Sequence, residues 1–209
     1  MNELHAGMEA LRSGDLDSAR SLLAEAISKA PLNADAYEGL AAVLEQQGRT
    51  ELARDLCETA LGQLPKALFL HRKAVELNTE LGDLESAERA AERFVLAFED
   101  NSDAWLSLGD VRAKSGKTDR ALRAYQHAAE RTDDDWRPWH RMGLIHEKKD
   151  DARSACVAFR NAARIAPENY RPLRALARML KKLNKTDEAQ AVFNQAQILA
   201  QAEDDQNTH

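Results

Sequence analysis

The sequence predicts an all-α solenoid of six antiparallel helix pairs, and three observations carry that prediction. A turn residue returns every 34 positions, at Gly14, Gly48, Gly82, Gly116, Asp150 and Asn184. Glycine takes a positive φ without steric penalty, and Asp and Asn are the other residues that best tolerate it. A small residue follows each turn, at Ala19, Ala53, Ala87, Ala121, Ala155 and Ala189, and again two helical turns later at Ala26, Ala60, Ala128, Ala162 and Ala196. Phe94 is the one oversized exception in that second series, and Leu23, Cys57, Ala91, Tyr125, Phe159 and Phe193 lie between the two. Thirdly, each interval carries two amphipathic stripes. In residues 105–130, Trp105, Leu108 and Val111 step along one helical face and Ala121, Leu122, Tyr125 and Ala128 along another. One such pair cannot bury its apolar faces alone; stacked copies can.

The copies fall at about 1–33, 34–67, 68–101, 102–135, 136–169 and 170–203, which makes one array over 1–200. In repeat one, Leu4, Met8 and Leu11 form a stripe and Ala6, Gly7 and Ala10 pack on the partner helix. Repeat two opens at Asn33, a good N-cap, and ends at Pro65. Repeat three is the least orthodox, with His71 where repeats four and five have Trp105 and Trp139, and Val75 where they have Gly109 and Gly143. Repeat four opens after Asn101-Ser102-Asp103, and Thr118 is expected to cap its second helix. Repeat five follows the acidic run Asp133–Asp135, which suits a helix N-terminus. Trp136-Arg137-Pro138 and Tyr170-Arg171-Pro172 open repeats five and six, with proline tolerated in a first turn. The last helix is expected to end near Ala200, leaving polar residues 201–209 as a frayed tail. Val192, Phe193, Ala196 and Leu199 then lack a covering helix.

The pattern resembles the tetratricopeptide repeat. Trp105-x2-Leu108-Gly109 with Ala121, Tyr125 and Ala128 matches its signature, as does Trp139-x2-Met142-Gly143 with Ala155, Phe159, Ala162 and Pro167. The resemblance implies a right-handed superhelix in which the first helix of each repeat lines a concave groove. It also implies a protein-interaction role rather than catalysis.

Composition excludes several other roles. The chain is 44% hydrophobic but only 5% aromatic, which suits thin helical layers. A net charge of −6 argues against general nucleic-acid binding. The first residues hold no basic segment leading into an apolar run, so no secretory signal is expected. No run approaches the roughly 20 apolar residues needed to span a bilayer. Cys57 and Cys156 lie three repeats apart, too far for a bridge, and are expected as reduced thiols in the cytoplasm.

No catalytic constellation, cofactor loop or metal set is legible. The histidines are His5, His71, His127, His140, His146 and His209. His140 and His146 are six apart and so face different sides of one helix, whereas helical metal ligands need three or four.

The informative signal is charge. Residues 1–104 carry 10 Lys and Arg against 20 Asp and Glu, and residues 105–209 carry 19 against 15. Carried onto the groove positions that the resemblance implies, this gives an apolar N-terminal stripe of Leu4, Met8 and Leu11. Acids follow at Glu38, Glu45, Glu76 and Asp110, then a basic end of Arg137, His140, Arg171, Arg174, Arg178 and Lys181. Arg171, Arg174, Arg178, Lys181 and Lys185 recur at helical spacing with no acid among them. The tetratricopeptide carboxylate clamp of Lys and Asn residues is absent. The expected function is a non-catalytic scaffold or adaptor whose groove takes a peptide or helix, with acidic partner residues at the basic end. The alternatives are self-assembly through the uncovered last face, as a dimer or end to end, and regulation of a separately encoded enzyme.

Overall fold

A computed structural model describes residues 2–207, with side chains through residue 203. The described residues form twelve helices and no strands: α1 (Glu3–Ser13), α2 (Leu16–Lys29), α3 (Ala34–Gln46), α4 (Thr50–Gln63), α5 (Leu68–Glu80), α6 (Leu84–Ala97), α7 (Ser102–Lys114), α8 (Thr118–Ala129), α9 (Arg137–Lys148), α10 (Ala152–Ile165), α11 (Tyr170–Lys182) and α12 (Thr186–Asn207). The chain divides into two compact units, Met1–Glu99 and Asp100–His209, of three helix pairs each. Within each unit every helix packs on the next in sequence, the arrangement of a helical solenoid.

The turn residues do what their chemistry predicts. Gly14, Gly48, Gly82 and Gly116 have φ of 82°, 70°, 76° and 73°, and Asp150 and Asn184 have 61° and 58°. These two are the positive-φ non-glycine residues of the described chain. Asn184 therefore carries left-handed strain that glycine would not. Asn184→Gly is expected to raise stability by about 0.5 kcal/mol, read as a later urea midpoint.

Helix starts alternate with turn chemistry. Asp15, Asp83 and Asp151 accept from the backbone N–H of Ser18, Ser86 and Ser154 at 3.2, 3.0 and 3.1 Å. Repeats two and four lack this side-chain cap. Thr118 is the first residue of α8 rather than its cap, and its hydroxyl donates to Gly116 O.

The lattice of small residues is where paired helices touch. Ala19, Ala53, Ala87, Ala121 and Ala155 are fully buried. Gly109 and Gly143 are packing glycines: a Cβ would lie 2.4 Å from the Tyr125 ring and 2.5 Å from the Phe159 ring. Where the opposing residue shrinks, the glycine position grows. Cys57 is matched by Ala41 and Ala91 by Val75 at the equivalent positions. Gly62, by contrast, faces open space and packs on nothing.

Repeat three keeps its fold by a second compensation. His71 donates from Nε2 to Pro65 O at 3.0 Å. Its ring stacks on Phe94, centroids 5.7 Å apart, and Phe98 stands edge-on to both. The oversized Phe94 fills the space that a histidine leaves where repeats four and five have tryptophan, and it is fully buried. Burial holds the His71 imidazole below its ordinary pKa.

At the chain's end the last helix is longer than expected: α12 runs past Ala200 to Asn207, and residues 208 and 209 lie outside the described chain. Phe193 does not join the core and is 45% exposed. Repeats four and five seat their aromatic ring against a glycine, whereas Ala177 stands at the equivalent position here. Ala196 is buried with Leu173 and Ala163, with Val192 and Leu199 packed beside them, while Ile198 is 67% exposed.

Candidate functional site

The first helices of successive repeats approach one another within each unit, α1 to α3, α3 to α5 and α7 to α9. Among the described residues no second helix makes a comparable approach to the next second helix. All the expected site residues lie on first helices: α1, α3 and α5 in the N-terminal unit and α7, α9 and α11 in the C-terminal unit.

In the N-terminal unit, Leu4, Met8 and Glu38 line one cleft of about 380 Å³, together with His5, Arg12 and Asp35. Leu11 is half-buried and does not line it. Glu45 and Glu76 are already engaged. Lys73 Nζ lies 3.2 Å from Glu45 and 2.9 Å from Glu76, and Arg72 reaches Glu76 at 3.9 Å. Burial works against the charge of Lys73, but the two glutamates outweigh it and raise its pKa.

In the C-terminal unit the expected sign separation is largely cross-linked between repeats. Asp110 accepts from the Tyr125 hydroxyl at 2.7 Å and pairs with Arg141, whose Nε lies 2.9 Å away and whose Nη2 donates at 3.4 Å. Burial above all, with Asp110 beside it, raises the Tyr125 pKa. Arg137 is held by Asp135 and Asp103, at 2.8 and 2.7 Å. Arg178 forks onto Glu147 through Nε at 3.0 Å and Nη2 at 2.7 Å. Lys182 meets Asp150 at 2.7 Å. The basic stripe of α11, free of acids along its own helix, thus draws acids from the preceding repeat. Arg178 cannot serve as a vacant carboxylate receptor while Glu147 fills its fork.

Three expected cations have no acidic partner among the described residues: Arg171, Arg174 and Lys181, all exposed. The Arg171 and Arg174 guanidiniums lie 5.9 and 5.8 Å from the Tyr170 ring centroid. Such stacking on an aromatic face orients the cations without neutralising them. His140 sits beside Trp136 and Phe159, ring centroids 5.3 and 5.2 Å away. Its Nδ1 is buried without a hydrogen bond, and burial, with Arg141 and Arg178 near, lowers its pKa to about 4. It is a neutral packing residue at physiological pH. The sequence signal for the ion pairs was present: acid and base lie 31 positions apart in both Asp110–Arg141 and Glu147–Arg178.

Cys57 and Cys156 are buried free thiols, and burial pushes Cys57 up to about 12. Among the described residues, no group of three His, Cys, Asp or Glu could hold a metal ion, and no helix is long and apolar enough to cross a membrane.

Comparison with known proteins bears on the fold. A family model described as Tetratricopeptide repeat matches residues 4–67 and 79–135, and another of the same description matches 137–169. A tetratricopeptide repeat protein from Parabacteroides merdae is similar in structure with a TM-score of 0.72 at 19% identity, over 91% of this chain and 75% of that one. The Pseudomonas aeruginosa pilF structure gives 0.71 at 19% identity, over 91% and 86%. YrrB, described as a TPR protein with an unusual peptide-binding site, gives 0.62 at 19% identity, over 85% and 91%. No curated protein sequence matches. At these identities the structural likeness is one of fold.

Proposed function

Since this chain belongs to the tetratricopeptide repeat family, we propose that it is a non-catalytic scaffold that binds an acidic peptide or helix on the inner, first-helix face of its C-terminal unit. The observation that carries this reading is selective pairing. Arg137, Arg141, Arg178 and Lys182 are each satisfied by an acid of the protein itself, whereas Arg171, Arg174 and Lys181 are exposed and have no acidic partner among the described residues. Guanidiniums left open in this way can fork onto a partner's carboxylates. Two buried thiols with no bridge fit a reducing compartment such as the cytoplasm.

The test is affinity capture from extract of the native cell, with wild-type bait and an Arg171→Glu/Arg174→Glu bait. The reversed bait should lose the partner while melting at the wild-type temperature, because neither arginine belongs to an ion pair among the described residues. Equal recovery on both baits removes the basic end from the function.

A second reading is favoured by one observation. Phe193 and Ile198 are exposed on α12 at 45% and 67%, apolar side chains that a second copy could cover. A light-scattering mass equal to one chain at high concentration ends that reading.

A further inference from the structure

The N-terminal cleft carries a chemistry of its own. α1 contributes Leu4 and Met8 along one stripe, flanked by His5 and Arg12, and α3 contributes Asp35 and Glu38 one helical turn apart. Met8 reaches across to α3, where a side chain at position 39 would collide with it: a Cβ on Gly39 would lie 2.7 Å from the Met8 sulfur. The methionine thus lies between the helices, and the glycine allows it. Neither Asp35 nor Glu38 has an ion-pair partner among the described residues, although the next acids along the same face, Glu45 and Glu76, are both taken by Lys73. Residues 1–99 as a whole carry 18 acids against 10 bases, a field that favours cations.

We propose that this cleft is a receptor for a single lysine or arginine side chain of a bound peptide. The aliphatic stem lies along Leu4 and Met8, and the cationic head meets the carboxylates of Asp35 and Glu38. The stem of such a residue is apolar and its head seeks water and anions, so it matches a cleft with apolar and anionic walls. At about 380 Å³ the space is at the small end of ligand sites, enough for one long side chain and its flanking backbone rather than a helix face. Arg12, which lines the same cleft from α1, favours a partner backbone carbonyl or carboxylate beside the inserted residue. This site deepens the scaffold reading and rests on it, but it lies in the other unit from Arg171 and Arg174. The two readings therefore fail separately: loss of this cleft's binding leaves partner capture by the basic end untouched, and the reverse also holds.

The experiment uses the full chain labelled with ¹³C at the methionine methyl groups. Met8 reports on the cleft, and Met142 and Met179 serve as references in the other unit. Acetyl-Ala-Lys-Ala-amide and its arginine counterpart are titrated against the same peptide with norleucine, which keeps the stem and lacks the charge, and with glutamate. The cationic peptides are expected to shift the Met8 signal saturably, with Met142 and Met179 unmoved. Asp35→Asn/Glu38→Gln should weaken that binding about fivefold to tenfold while leaving the reference signals in place. The proposal is overturned if norleucine moves Met8 as strongly as lysine, which makes the cleft merely apolar. It is equally overturned if glutamate binds better than lysine, if no peptide moves Met8, or if the double variant binds lysine as the wild type does.

Discussion

Valine at Gly109 is expected to destabilise the C-terminal unit by about 3 kcal/mol. A Cβ there would meet Tyr125 Cδ1 and Cε1 at 2.4 Å and Cζ at 3.1 Å. The ring cannot step aside. It is 1% exposed, and its hydroxyl is tied to Asp110, which in turn holds Arg141. Glycine therefore stands at position 109 for the space its missing side chain leaves, not for backbone freedom. Tyr125→Ala alone should cost about 3–5 kcal/mol through the cavity it opens. The informative variant combines the two, because Val with Ala is the pair that repeat three already uses at Val75 and Ala91. Gly109→Val/Tyr125→Ala should be less destabilised than the sum of its single changes by at least about 1 kcal/mol. Urea unfolding of the four proteins measures that coupling, and strict additivity would mean the two positions do not share one space.

Phe94→Ala is expected to cost about 3–5 kcal/mol in the N-terminal unit, although alanine is the residue every other repeat carries at this position. Phe94 is fully buried and forms the centre of the ring cluster with His71 and Phe98. Removing it opens a cavity beside an imidazole whose Nδ1 already lacks a hydrogen bond. Restoring the repeat's common residue should therefore damage this copy. Chemical denaturation followed by far-ultraviolet circular dichroism checks the prediction; a loss below about 1 kcal/mol would show that the cluster is not a packing unit.

These two positions also show how far the sequence could be read. The 34-residue period yields the helix pairs and all six positive-φ turns, because a left-handed turn residue and a close helix contact are each decided by one side chain. Phe94 stood out as an exception to the lattice, yet its reason is a ring on another helix, His71, which periodicity along one helix does not reveal. The same limit explains the groove. Arg178 reads as open when only α11 is considered, and it is closed because Glu147 approaches it from α9. Likewise Glu45 and Glu76 read as an acidic patch until Lys73 is placed between them. Along-helix spacing shows neighbours three and four apart; partners one repeat away need the packing geometry.

The proposed function rests on Arg171, Arg174 and Lys181 as the cations left open to a partner. Its most direct test is the affinity of the captured partner for the wild type and for Arg171→Ala/Arg174→Ala/Lys181→Ala, measured from about 0.05 to 0.5 M salt. Wild-type binding should weaken steeply as salt rises, and the triple variant should bind more weakly at low salt with a much flatter dependence. Parallel salt dependences at equal affinity would contradict the claim and leave those three side chains as solvated surface.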